Sequence, residues 1–302
     1  MKIGFVGLGR MGMNMVLNLI EHKHQVVAFN RSPDKTKEAE KKGAIAVYSI
    51  EDLVRKLPKP RVIWLMINAG TPVDEHIEKL IPLLDKNDVI IDGGNSYFED
   101  SKRRYALLKK KGVRYLDVGT SGGMSGARKG ACMMIGGDQE IFKKVEVLFK
   151  DMCVKNGYGY MGTSGSGHLV KAVHNAVEYG MMGAIAEGMN LVNEYSSANR
   201  ANTDLKKVAQ VWCNGSIIES RLMSWLEQGM NRDYFDEVSG TVPKGETEEE
   251  MGKLEKLNKN SPMKVLEAAR KMRVETRKNP NYRGKLLAVM RNEFGGHKFE
   301  RK

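Results

Sequence analysis

Gly7-Leu8-Gly9-Arg10-Met11-Gly12 follows a short apolar run at residues 3–6 and opens a stretch in which Met13, Val16, Leu17 and Ile20 recur at helical spacing. That order of strand, glycine turn and helix is the context a dinucleotide-binding fingerprint requires. The first glycine permits the tight turn, the second lets backbone approach a pyrophosphate, and the third lets helix and strand pack closely. The helix start adds free N–H groups and a partial positive charge suited to phosphates. Few folds accept such a segment, so a parallel, helix-covered sheet is expected to follow it.

The next residues agree. Short apolar segments at 26–29, 61–67, 88–91, 113–118 and 131–135 alternate with polar, Lys- and Glu-rich stretches. This is the βαβ rhythm of a doubly wound sheet. The glycine-rich segment 157–167 reads as a domain boundary, and beyond it strand signals fade. Residues 168–195 read as one long, largely apolar helix, with later breaks near Gly215, Gly229 and 240–245. The expected fold class is therefore α/β: an N-terminal Rossmann-type doubly wound sheet over 1–164 and an all-helical domain over 165–302. The charged stretch 245–259 reads as a solvated helix face or a mobile loop.

Composition narrows the functional classes. No apolar stretch approaches the ~20 residues that cross a bilayer, and the chain opens on a strand rather than on a leader. Cys132, Cys153 and Cys213 are scattered without metal-ligand spacing, which reads as reduced thiols in a cytoplasmic protein, with no metal. A net charge of +12 points to an anionic partner. The basic residues are dispersed among acids and no nucleic-acid motif is present, so a small phosphorylated substrate with a phosphate-bearing cofactor fits better than a nucleic acid.

The second strand ends in Asn30-Arg31-Ser32, with no acid at its tip. In such folds an acid there holds the ribose hydroxyls of NAD, whereas arginine accommodates the extra phosphate of NADP. The residues favour NADP and leave NAD open. Three further stretches carry chemistry. Asp92-Gly93-Gly94-Asn95-Ser96 ends a parallel strand, where open sheets bind ligands. There Asn95 is placed to meet cofactor and substrate, and Ser96 reads as a helix cap. Asp117-Val118-Gly119-Thr120-Ser121-Gly122-Gly123 ends another strand with small residues that expose backbone N–H groups, as a carboxylate or polyol needs, although an ordinary loop has the same look. Finally, Lys171, His174, Asn175 and Glu178 share one helix face, while Val170, Val173 and Val177 take another. A lysine near apolar walls can act as a base, with a glutamate two turns on as the complementary acid.

Together GLGRMGMNM, FNRS, IIDGGNS, GTSGG, GSGHLVKAVHNAVEYG and the tail Arg291-Asn292-Glu293-Phe294-Gly295-Gly296-His297 resemble the decarboxylating 6-phosphogluconate dehydrogenase family in its short form. The resemblance implies oxidative decarboxylation of 6-phosphogluconate to ribulose 5-phosphate, with Lys171 as general base and Glu178 as general acid. It assigns Gly7, Leu8, Gly9, Arg10, Met11, Gly12, Asn30, Arg31, Ser32, Met66 and Asn95 to the cofactor. Asn95, Ser121, Gly122, Gly123, His174 and Asn175 would hold the sugar acid, and Tyr179 the phosphate. Arg291 and His297 match a tail that in the family reaches a neighbouring subunit's phosphate site, so a homodimer or homotetramer follows. Arg273 lies at the spacing of a phosphate-binding arginine, but reads otherwise as an ordinary arginine on a helix surface. The acidic stretch 245–250 stands where relatives carry a tryptophan and a basic residue, with Lys244 as the nearest substitute cation. Two alternatives stay open: another β-hydroxyacid dehydrogenase, such as one for 3-hydroxyisobutyrate, and a cofactor-binding protein without catalysis.

Overall fold

The computed structural model describes residues 1–245, 247–257 and 260–302. The chain forms two compact units, Met1–Ala172 and Val173–Lys302. Sequence had placed the division at 164/165; it falls eight residues later, within a helix, because that helix begins against the sheet of the first unit.

Eight strands build the first unit: β1 (Lys2–Val6), β2 (Gln25–Phe29), β3 (Ile45–Ala46), β4 (Val62–Leu65), β5 (Val89–Asp92), β6 (Arg114–Ser121), β7 (Ala131–Gly137) and β8 (Cys153–Gly162). Their spatial order is β3-β2-β1-β4-β5-β6-β7-β8. Every pairing is parallel except the antiparallel step from β6 to β7. The order reverses between β1 and β4, and open sheets bind ligands at such a switch point. Connecting helices are α1 (Arg10–Glu21), α2 (Pro33–Glu40), α3 (Ile50–Arg55), α4 (Thr71–Leu80), α5 (Phe98–Lys110), α6 (Gly123–Lys129) and α7 (Gln139–Met152). All four residues of β4 and of β5 are buried, as a sheet covered on both faces demands. One face packs Phe5, Trp64, Ile91, Leu116 and Phe149. The other packs Val6, Ile63, Leu65, Ile90 and Tyr115 with Leu53, Ile77 and Leu108.

One strand escapes the sequence reading and one expectation changes here. β3 has only two residues, too few to show any periodicity. The glycine-rich stretch read as a boundary is in large part β8, paired with β7 from Met133↔Tyr158 to Gly136↔Gly162. Its alternate tyrosines, Tyr158 and Tyr160, lie against Phe142 and so make a strand of a segment whose glycines suggested a hinge.

The second unit is helical. α8 (Ser166–Asn199) enters it from the first, followed by α9 (Leu205–Trp212), α10 (Arg221–Met230), α11 (Glu248–Glu255), α12 (Lys264–Glu275) and α13 (Tyr282–Gly295). Met182, Met189, Leu222, Leu226, Leu287 and Met290 lie in its core. Gly229, expected at a break, lies inside α10, where a Cβ would come 2.1 Å from Val289 Cγ1 of α13. Its role is close helix packing. The charged stretch contains a true helix, α11, anchored by buried Met251 and Leu254. Glu246, Asn258 and Lys259 of that stretch lie outside the described residues. Among the described residues, no helix is long and apolar enough to cross a membrane.

Candidate active site

In the first unit the glycine loop is made by backbone. Gly7 adopts φ +100°, and a Cβ there would sit 2.2 Å from the Met66 carbonyl oxygen. A Cβ on Gly12 would lie 2.0 Å from the Gly7 carbonyl oxygen, which explains the close seat of α1 on β1. At Gly9 a Cβ would meet nothing within 4 Å. Gly9 is also the N-cap of α1, with no side-chain cap and no acid in the first turn. This open, donor-rich helix start fits a pyrophosphate, so the residues present fit a dinucleotide.

Asn30 spends its side-chain oxygen on the Leu8 N–H at 2.8 Å, and its own N–H donates to Thr36 Oγ1 at 3.2 Å. It therefore links the tip of β2 to the glycine loop. Arg31 and Ser32 are exposed. Sequence reading missed Thr36, a buried hydroxyl in a charged helix.

Asn95 follows β5 and is half-buried. Beneath it lies a buried polar network. Asp92 is fully buried and accepts from Ser96 Oγ (2.8 Å), Tyr115 Oη (3.0 Å) and Arg104 Nη1 (3.2 Å). Arg104, also fully buried, reaches Asp74 Oδ1 at 2.8 Å and the Gly70 carbonyl at 3.0 Å. Burial opposes its charge, but Asp74, Tyr115 and Asp92 outweigh that and hold the guanidinium above its ordinary basicity. The Tyr115 hydroxyl is pushed well up by burial and by Asp92 and Asp117. Ser96, expected as a helix cap, instead turns to Asp92, and Tyr97 takes the N-cap position of α5. No motif announced Arg104; one arginine in a Lys- and Arg-rich helix carries no mark of burial.

At the end of β6, Ser121 leads into Gly122 (φ +115°) and Gly123 (φ +62°), two left-handed residues that favour glycine. Lys171 lies in α8 near β6: a Cβ added to Gly119 would come 2.2 Å from Lys171 Cβ.

Along α8 the polar face is the sheltered one. Asn175 and Tyr179 are 7% and 5% exposed, and Lys171, His174 and Glu178 are partly buried. Val170, Val173 and Val177 are turned outward, at 38%, 40% and 55% exposure. His174 Nδ1 lies 3.3 Å from Asn175 Oδ1.

In the second unit Arg273 is buried, contrary to its reading as an ordinary surface arginine. Its guanidinium carbon lies 3.4 Å from the centre of the Tyr179 ring, and Nη2 is 3.3 Å from Met182 Sδ. Its buried Nε has no hydrogen-bond partner among the described residues. Burial pulls the guanidinium down to about 10, with Tyr179 opposing and Arg291 assisting. Arg291 is 6% exposed, donates to the Pro243 carbonyl at 2.8 Å and is likewise lowered by burial. Gly245 lies beside it: a Cβ there would be 3.0 Å from Arg291 Nη2 and 3.9 Å from Tyr179 Oη. Tyr179 Oη pairs with Thr247 Oγ1 at 3.1 Å, and Glu248 pairs with Arg277. Hydrogen bonding to Arg277 holds the Glu248 carboxyl below its ordinary range. The acidic stretch thus supplies a counter-ion to Arg277. The last residues pair with the same chain, through the Val238↔Arg301 bridge and Ser239 N–H to the Glu300 carbonyl at 2.9 Å. His297 sets its ring edge-on to Phe294. Among the described residues no cluster of His, Cys, Asp and Glu is arranged for a metal ion.

Comparison with known proteins identifies the family. Residues 2–162 match the family described as the NAD binding domain of 6-phosphogluconate dehydrogenase. The chain is 41% identical over 304 residues to a putative 6-phosphogluconate dehydrogenase, YqeC, of Bacillus subtilis, covering 100% of each. It is 38% identical over 305 residues to the NAD(+)-dependent, decarboxylating 6-phosphogluconate dehydrogenase of Haloferax volcanii, covering 100% of this chain and 99% of that one. Among solved structures it resembles Plasmodium falciparum 6-phosphogluconate dehydrogenase, described apo, with its cofactor NADP+ and with its substrate 6-phosphogluconate. The TM-score is 0.79 at 29% identity, over 91% of this chain and 62% of that one.

Proposed function

The chain belongs to the 6-phosphogluconate dehydrogenase family, and from that premise we propose that it oxidises and decarboxylates 6-phosphogluconate to ribulose 5-phosphate, with NADP preferred over NAD. The observation that carries the substrate class is Arg273. A buried guanidinium stacked on Tyr179, with a donor left over and Arg291 close by, calls for an anion from solution. A substrate phosphate supplies one, and charge-assisted hydrogen bonds to it are strong. A non-phosphorylated 3-hydroxy acid would leave that charge unanswered.

A nucleotide held by the Gly7–Gly12 loop would supply the hydride acceptor for C3 of the substrate. Lys171 takes the proton of the 3-hydroxyl as the C3–H bond breaks. The new ketone lies β to the carboxylate, so the C1–C2 bond breaks. CO2 leaves, and the electron pair moves into an enolate whose oxygen is on C3. The Lys171 ammonium donates to that oxygen. Glu178 delivers a proton to C2, which becomes C1 of the product. Asn95, Ser121, Gly122, Gly123, His174 and Asn175 hold the sugar acid. Tyr179, Arg273, Arg291 and His297 hold its phosphate, and by the family resemblance the tail bearing Arg291 and His297 reaches the phosphate site of a neighbouring subunit.

Arg31 supports the preference for NADP, because an exposed arginine at the tip of β2, with no acid beside it, suits a 2′-phosphate. A homodimer or homotetramer is proposed from the outward row of α8. There Val173, Val177, Met181, Leu191 and Tyr195 are 40–67% exposed, more apolar surface than a lone helix ordinarily leaves in water.

The test is absorbance at the reduced-nicotinamide band with 6-phosphogluconate, comparing NADP and NAD while CO2 is collected. NADP is expected to react faster. Arg31→Ala is expected to raise the KM for NADP about 10-fold and leave NAD unaffected, the loss of one charge-assisted contact. No reduction with either nucleotide would refute the assignment.

A further inference from the structure

We propose that Asp117 is a positioning residue for Lys171: its buried carboxylate holds the first turn of α8 against β6, and so sets where the base stands relative to the Ser121-Gly122-Gly123 loop. The inference rests on the reading of Lys171 as the base.

Asp117 is fully buried. Its Oδ1 accepts the Gly165 N–H at 2.7 Å and its Oδ2 accepts the His168 N–H at 3.0 Å. Both donors belong to the start of α8, where a helix leaves its first N–H groups without internal partners. A carboxylate there also meets the positive end of the helix dipole. A second tie lies on the side chain of that same histidine: His168, 1% exposed, has Nδ1 at 2.7 Å from Ser101 Oγ of α5.

The glycines around this anchor remove its slack. A Cβ on Gly167 would lie 2.4 Å from the Asp117 carbonyl oxygen and 2.6 Å from that of Met134. A Cβ on Gly136 would lie 2.6 Å from the Gly167 nitrogen. The helix start therefore rests backbone to backbone on β6 and β7. One turn further on, Lys171 stands over Gly119, two residues after Asp117. One strand thus carries the anchor, the seat of the lysine and, at its end, the substrate loop. Any shift of the first turn passes through the helix backbone to Lys171. A misplacement of about 1 Å at a reacting group costs on the order of 100-fold in rate.

The experiment compares Asp117→Asn, Asp117→Ala and Ser101→Ala with the wild type. It measures melting temperature, amide hydrogen exchange of residues 165–168, and kcat and KM for nucleotide and 6-phosphogluconate. Both Asp117 variants are expected to speed exchange at Gly165 and His168. Their kcat is expected to fall at least about 10-fold while the KM for nucleotide stays within about twofold, because the glycine loop is untouched. Ser101→Ala, which removes the second tie and leaves both Asp117 hydrogen bonds in place, is expected to speed exchange at His168 and to lower kcat by a smaller factor than the Asp117 variants. A folded Asp117→Asn with wild-type kcat overturns the proposal. Failure of both Asp117 variants to fold overturns it too, since the residue then serves stability. A wild type inactive on 6-phosphogluconate refutes the functional reading before any variant is made, and the Asp117 comparison is then run on the 3-hydroxy acid it does oxidise.

Discussion

Two arginines, one in each unit, are buried to almost the same degree and are electrically opposite. Arg104 is fully buried and faces Asp74 and Asp92, which hold it charged beyond its ordinary range. Arg273 is 4% exposed and faces a tyrosine ring and a thioether, and burial pulls it down to about 10. The first charge is completed by its own chain and ties α5 to the loop bearing Asn95. The second feels the Glu178 carboxylate only as a coulombic attraction too weak to offset its burial, and under the proposed function the substrate phosphate completes it. Counter-ions, and not burial, separate a structural arginine from a binding one.

Two substitutions test that contrast. Arg104→Met removes the partner of a buried carboxylate, and breaking such a pair costs about 3–5 kcal/mol. Urea denaturation should show that loss, and a change within experimental error would end the distinction. Arg273→Met should do the reverse. It removes a charge that is costly to bury, so the melting temperature should hold or rise, while the KM for 6-phosphogluconate climbs roughly 100-fold through two lost charge-assisted hydrogen bonds. In the wild type, inorganic phosphate should also raise the melting temperature, by linkage, and in Arg273→Met it should not. Equal protection of both proteins would move the anion site elsewhere.

The smallest effect belongs to Glu248, the acid that answers Arg277. Its folded pKa lies below the ordinary 4.5, so its contribution is complete above that value and is lost as pH falls through the lower folded value. Glu248→Gln should cost at most about 1 kcal/mol at neutral pH. Its deficit against the wild type should shrink as pH falls below the ordinary carboxylate range and close once pH is under the lowered folded value. A deficit independent of pH would mean that packing, and not charge, holds this segment.

Legibility followed the range of the interaction. The glycine loop could be read because each glycine answers a steric demand within a few residues. Gly7 needs positive φ and Gly12 needs contact with Gly7. The polar face of α8 could be read because a helix places residues 171, 174, 175 and 178 together at any depth. Which face is sheltered could not. Valines at 170, 173 and 177 look like core, yet they point outward while the polar row is the shielded one. β8 was hidden for a related reason: its tyrosines find their partners on α7, while its glycines, seen locally, signal a loop.

The sequence by itself determined the nucleotide fold, the order of its strands and helices apart from β3 and β8, the family and the candidate base and acid, since all of these rest on short-range spacing. Tertiary structure alone decided that Arg273 is buried on Tyr179, that Glu248 answers Arg277, that Arg104 joins Asp74 to Asp92, and that Asp117 caps α8 from another strand. Each of those facts depends on groups 12 to 94 residues apart in the chain. Desolvation and charge pairing act through space, and no local pattern records which distant group will arrive to complete them.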